Sequence, residues 1–426
     1  GMGSTLLRAG RSAVINVARD FSCSIVTADD ELLAAAEGLP VHIFGSQLQT
    51  AEMRRRHPDL RPGDAFLDND PYTGNSHHAD HTILVPVFVG DKHMFTAVAK
   101  AHQADIGNST PTTYAAAAKD IYEEGALSFP CVQIQRDGED VRDIIEMCRR
   151  RIRVPQQWYG DYLATLGAAR TGERRLVDLV EMYGPELIEE FVREWLDYSE
   201  RRMEHAIGEL RSGTFVRQSQ HDSIGALPAI PLKASVTVDA EARRVQIDLR
   251  DNPDCVPAGL NLTRATASNM AIAGLFGNVD PDIPANSGSF RRVEVLLREN
   301  LRGRHPPAPR LCLGGDDQRR QPAGRPGPVG DRRRSRGGRR GRGRVGHGAG
   351  PRRDRGHRLP HRRAVREPAD REQLRRARCG RRRRLAQLDR AVRRGAALPR
   401  LGRDRRAEVS DPLRLPAGDG GLGWGG

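Results

Sequence analysis

The stretch Asn69-Asp70-Pro71-Tyr72-Thr73-Gly74-Asn75-Ser76-His77-His78-Ala79-Asp80-His81 leads into an apolar run at 82–89, a Gly90-Asp91 pair, and a second run at 93–101 that ends on His102. Two β-prone runs flanking a Gly-Asp pair spell a hairpin closed by a two-residue turn. Such a turn makes paired positions sum to 181, which sets Asp80 opposite Ala101 and His102 opposite Ala79. His77, Asp80 and His102 then meet at the open end of the hairpin. Two imidazoles and a carboxylate suit Zn²⁺, Mn²⁺ or Fe²⁺, with positions left for water or substrate. His78, His81 and His93 read as solvated turn or edge residues, the usual place for polar side chains. Asp105-Ile106-Gly107, just after His102, reads either as a hydrogen-bond partner that orients the imidazole or as an ordinary turn.

Working outward, 20–26 alternates as a strand, Asp29-Asp30-Glu31 turns the chain, and Leu32-Leu33-Ala34 forms a second strand. A helix after Pro40-Val41-His42 carries Leu48 and Met53 and runs to Pro58, and Ala65-Phe66-Leu67 is a further strand. Residues 1–19 are apolar at helical spacing with no N-cap before them, which reads as the end of a helix that starts upstream. Downstream, 160–172 and 173–183 read as two helices. A longer helix follows, with Leu187, Ile188, Phe191, Trp195, Met203, Ile207 and Leu210 on one core-facing stripe. A hairpin at 233–249, a small-residue helix at 263–276 and a strand at 290–297 complete the pattern. The expected fold class is α+β: mixed sheets and hairpins with packed helices. The expected divisions are a metal-binding catalytic region at 1–211, a β-rich region at 212–300 and an Arg/Gly/Pro-rich tail at 301–426.

Charge separates the tail from the rest. Residues 1–300 carry a net −11, whereas 301–426 carry 37 Arg, no Lys and 12 Asp+Glu, a net +25. Arg, Gly and Pro fill 72 of those 126 positions, too few apolar side chains to offset chain entropy. Nucleic-acid binding is disfavoured as the tail's purpose, because stacking needs aromatics and Trp424 stands alone. Phe, Tyr, Met, Ile, Asn and Lys number 55 in residues 1–300 and vanish after Asn300. Those are the residues of AT-rich codons, so the tail is expected to be a GC-rich gene translated out of frame.

The six cysteines form no C-x-x-C pair, which excludes a zinc ribbon and reads as reduced thiols. No apolar run reaches the ~18–20 residues of a bilayer span, so no membrane partner and a cytoplasmic location are expected. Residues 1–300 hold no phosphate-binding loop of the G-x-x-x-x-G-K-[ST] or G-x-G-x-x-G kind.

Taken in order, Asp20-Phe21-Ser22, Pro40-Val41-His42, Asn69-Asp70-Pro71-Tyr72, His77-x-x-Asp80, His102-x-x-Asp105-x-Gly107, Tyr122-Glu123-Glu124-Gly125, Arg153-x-Pro155, Gly160-Asp161 and Asn286-Ser287-Gly288 resemble the hydantoinase B family across residues 3–300. The resemblance implies that His77, Asp80 and His102 bind a catalytic divalent metal (Zn, Mn or Fe) and that Asp20 joins them; Asp105, from its place after His102, is assigned to orient that imidazole. It implies an A-type partner subunit that binds ATP and activates a cyclic amide by phosphorylation. A ketone carboxylase is the alternative within the family. Members extend beyond both ends of the matched region, so the resemblance also implies truncation and impaired activity. Two positions depart from the family pattern: Asn75 and Asn108 stand where glycine is usual.

Overall fold

The computed structural model describes residues 1–36, 39–223, 225 and 227–298. The expectations for 301–426 lie outside them. Strands β1 (Phe21–Thr27), β2 (Leu32–Ala35), β3 (Ala65–Asp68), β4 (Asp80–Val89), β5 (Lys92–His102), β6 (Val132–Arg136) and β7 (Glu139–Asp140) form one sheet in the order β2-β1-β5-β4-β3-β6-β7. Every pairing in it is antiparallel.

Both faces of this sheet are covered. Cys23, Leu67, Ile83, Val85 and Ala99 pack on one side against Trp158, Tyr162 and Leu166 of helix Pro155–Tyr183. On the other side Val26, Phe66, Leu84 and Val98 meet Met53 of helix Ser46–Arg56. Double coverage explains why β4 reads as a nearly unbroken apolar run rather than an alternating one. Emptying one such position, for instance Phe66→Ala, is expected to cost about 3–5 kcal/mol.

A second sheet holds β8 (Gly213–His221), β9 (Ile230–Asp239), β10 (Arg244–Asp248) and β11 (Val293–Leu296), ordered β11-β10-β9-β8, with β10 and β11 parallel. Met203 and Ile207 of helix Pro185–Gly208 pack on Val238, Val245 and Ile247 of that sheet. The stripe read from sequence is therefore core. The α+β class stands, with corrections in detail. Residues 160–172 and 173–183 belong to one helix, Pro155–Tyr183. Gly172 inside it is no break: a Cβ there would lie 2.6 Å from Met2 Sδ and 3.0 Å from Ala97 Cβ, so the glycine lets helix and sheet approach. The opening segment is two short helices, Met2–Ala9 and Ala13–Asn16, the second capped by the Ser12 side chain. Strand β8 left no sequence signal because all nine of its residues are exposed. Of the cysteines, Cys23, Cys131 and Cys148 are free and buried, while Cys255 is disulfide-bonded. Among the described residues no helix is long and apolar enough to cross a membrane.

Candidate metal centre

The hairpin turn keeps the expected register only near its tip. Val89 pairs with Lys92 and Phe88 with His93, but Val87 pairs with Phe95, so Met94 is an extra residue in β5. Beyond this bulge Asp80 pairs directly with His102, not with Ala101 as the turn alone would give. The correction matters, because the uncorrected register puts the two side chains on opposite faces of the sheet. On the other side of β5, His102 N–H donates to the Asp20 carbonyl at 3.1 Å, one step before Phe21 pairs with Ala101. Asp20, His102 and Asp80 thus stand abreast across β1, β5 and β4.

His102 Nδ1 lies 3.2 Å from Asp80 Oδ1 and 3.6 Å from Asp20 Oδ2. His77 Nε2 lies 3.3 Å from Asp80 Oδ2. The structure adds a residue that the sequence reading did not propose: His42 Nε2 is 3.0 Å from Asp80 Oδ2 and 3.7 Å from Asp20 Oδ1. One potential ligand atom from each of His77, Asp80 and His102 falls within 4.8 Å of the others, and so do atoms of Asp20, His42 and Asp80. Asp80 is fully buried, and Asp80 Oδ1, His102 Nδ1 and Asp20 Oδ1 make no hydrogen bond despite their crowding. Crowded lone pairs without mutual hydrogen bonds fit a cation-binding cluster. Burial alone would push the Asp80 carboxyl up, yet the His77 and His42 imidazoles and His102 outweigh it and hold it well below the usual carboxylate range. Burial would likewise push His102 down, and the neighbouring Asp80 and Asp20 raise it instead.

The ligand turn is held from behind by Asn75. Its amide donates to the carbonyls of His77 (2.6 Å) and Asp80 (2.7 Å), and its Oδ1 accepts from Thr82 Oγ1 (3.0 Å) and Gln49 Nε2 (3.4 Å). Asn75 is thus a fully used clamp. Ser76 Oγ donates to Asp80, and the Ser76 carbonyl accepts from Thr266 Oγ1 at 3.1 Å. Asn269 Nδ2 donates to the Val41 carbonyl at 3.0 Å, so helix Arg264–Phe276 braces both the His77 turn and the short helix Pro40–Ile43 that carries His42.

One row deeper on the same face, Ser22, Lys100, Thr82 and Asp68 pair across β1, β5, β4 and β3. Lys100 is buried, its Nζ makes no hydrogen bond, and burial pushes its ammonium down to about 8. Burial raises Asp68 to about 7 even though Gln49 and Thr73 donate to it.

Asp105 does not reach His102. Its carboxylate accepts from the Gly107 N–H (2.9 Å), the Arg153 N–H (2.6 Å) and Arg153 Nη1 (3.2 Å). His102 Nε2 is instead 3.1 Å from Thr113 Oγ1. The turn reading of 105–107 is therefore the correct one, because a short carboxylate is satisfied by its own loop and by Arg153. His78 and His81 are buried rather than solvated: His78 Nδ1 lies 3.5 Å from Glu124 Oε2, and Trp158 Nε1–H donates to His81 Nδ1 at 3.4 Å. Asp161 has a structural task too, accepting from the N–H groups of Arg11 and Ser12.

The profile of the hydantoinase B/oxoprolinase family matches residues 1–312, and the chain belongs to that family. It is 29% identical over 301 residues to caprolactamase subunit beta of Pseudomonas jessenii, covering 70% of this chain and 51% of that protein. The crystal structure of the ATP-dependent caprolactamase from Pseudomonas jessenii matches with a TM-score of 0.68 at 26% identity, over 73% of this chain and 54% of that one. A nucleotide-free acetone carboxylase structure matches at a TM-score of 0.66 and 16% identity, over 70% and 41%, a likeness of fold alone. The chain spans about half the length of the first curated relatives it matches.

Proposed function

We propose that this chain is the metal-binding B subunit of an ATP-dependent hydrolase of cyclic amides, working with an A-type subunit that binds ATP and phosphorylates the substrate. The observation that carries the reading is the cluster of Asp20, His77, Asp80 and His102 at the flush ends of three strands, with His42 behind it. Its mixed N and O donors suit Zn²⁺, Mn²⁺ or Fe²⁺. An ion held there would supply Lewis-acid chemistry, polarising an oxygen and lowering the pKa of a water. The remaining roles belong to the chain. With Nε2 engaged by Thr113 Oγ1, His102 turns Nδ1 toward the cluster, where it can coordinate. His42 bonds Asp80 Oδ2 and orients that carboxylate. Asn75 fixes the spacing of His77 and Asp80. The names of the caprolactamase relatives, a subunit beta and an ATP-dependent enzyme, support a heteromer and a nucleotide requirement. We also read residues 301–426 as out-of-frame translation.

The test is to co-express the chain with an A-type subunit and to measure ATP turnover against cyclic amides and, with bicarbonate, ketones. Amide-dependent turnover is expected once the frame after Asn300 is restored, and little before. Turnover with ketones alone would replace the hydrolase by a carboxylase. No turnover with either would end the reading.

A further inference from the structure

An open cavity beside the candidate metal centre is lined by Pro71, His77, Tyr114, Lys119 and Gly259, among others. Tyr114 is the unusual member. Its ring stacks on His77 with centroids 4.9 Å apart and planes 18° apart, and it stands 5.7 Å from the His102 ring. Nevertheless the residue is 66% exposed. A large aromatic side chain left in solvent forfeits the burial that usually stabilises it.

The backbone around Tyr114 is held on both sides. Thr112 Oγ1 accepts from the Tyr114 N–H at 3.1 Å and donates to its carbonyl at 3.0 Å. Thr113 Oγ1 contacts His102, and the Ala116 carbonyl accepts from the Gly259 N–H at 3.1 Å. That last approach requires glycine, since a Cβ at 259 would come within 2.5 Å of the Ala115 carbonyl oxygen. The ring is therefore presented rather than stranded: anchored on either side, packed on a candidate ligand, and open to the cavity.

We propose that Tyr114 is the specificity-determining platform of this site and selects flat, conjugated rings of the hydantoin kind over puckered lactams. The proposal rests on the cyclic-amide reading above. A planar ring brought to the cluster can stack on this tyrosine at reduced entropic cost, because its backbone is held and its ring already packs on His77. A puckered seven-membered lactam cannot match the aromatic plane and gains only ordinary contact. The phenol oxygen is not required, so phenylalanine should serve as well.

The experiment uses the full chain loaded with Zn²⁺, and dissociation constants for hydantoin and ε-caprolactam measured by calorimetry, with bound zinc quantified in every sample. Tyr114→Ala should weaken hydantoin about tenfold while leaving caprolactam within about twofold, and Tyr114→Phe should match wild type. Tyr114→Leu, which keeps bulk without a π face, should behave like the alanine variant. Zinc content should be the same in all four proteins. Hydantoin bound equally by Tyr114→Ala and wild type, or both rings weakened alike, would overturn the platform and leave the cyclic-amide reading intact. Failure of zinc-loaded wild type to bind either ring would overturn the platform, while the cyclic-amide reading is decided separately by turnover of the frame-restored heteromer.

Discussion

His102 Nδ1 and Asp80 Oδ1 lie 3.2 Å apart on directly paired positions of two neighbouring strands, yet neither makes a hydrogen bond. Two buried groups of complementary character left in this state suit a shared cation, since burial without a partner is otherwise costly.

The chain purified with divalent metal should therefore retain about one ion, and His77→Ala or His102→Ala should lose it, as either removes one of few ligands. Elemental analysis after dialysis reads the result directly. Unchanged metal content in both variants would remove the centre.

Asn75→Ala should leave a folded protein that binds metal about tenfold or more weakly, the usual consequence of losing a residue that orients ligands. A chelator competition assay gives the constant, and unaltered affinity would show that the His77–Asp80 turn holds its shape unaided.

Asp105→Ala separates the corrected role from the expected one. It should lower stability by about 1–3 kcal/mol, since a partly buried carboxylate then leaves Arg153 and two backbone donors unserved. Metal affinity should stay as it was. Loss of metal without loss of stability would restore Asp105 to the vicinity of His102.

The pH dependence of Asp68→Asn follows from a carboxyl raised to about 7 in the fold. Between about 4 and 7 the unfolded chain has released this proton and the folded chain has not, so the contribution of Asp68 to stability falls as pH rises through that window and is flat above it. Urea midpoints should show the asparagine variant gaining on wild type between pH 5 and pH 8 by a few kcal/mol at most, on the order of 3. A difference independent of pH would contradict the assignment.

Reading the gene in its other frames after the codon for Asn300 should yield a continuation that again uses Lys, Ile, Phe, Tyr, Asn and Met. Finding none would show that the tail is the intended product.

Much of the candidate centre is legible in the sequence, because a two-residue turn and a His-rich loop place Asp80 and His102 at one end of a hairpin. Asp20 and its place in the cluster came through family resemblance, since nothing local ties it to a strand end 82 residues away. His42 has no local signal of its role. Its four-residue helix has no amphipathic signature, and its approach to Asp80 is a tertiary fact. Asp105 misled because nearness in sequence to His102 was taken for nearness of side chains, when Arg153 from a distant segment claims the carboxylate. Strand β8 was invisible for want of a buried face, and Gly172 passed for a boundary because close packing and chain breaking favour the same residue.

The bulge at Met94 also settles a matter of parity. Two even-numbered residues cannot pair across a hairpin whose partners sum to an odd number, so Asp80 and His102 can face each other only if one position between them goes uncounted. Met94 is that position, and its carbonyl is taken up by the Ala28 N–H instead. A deletion of Met94 would let the strands run on evenly with the two side chains still opposed. With the bulge kept at Met94, removing a single residue from 95 to 101 would instead turn one of them to the far side of the sheet. With that bulge in place, tolerance to losing a residue between Met94 and His102 is confined to one position, eight residues from the candidate metal centre.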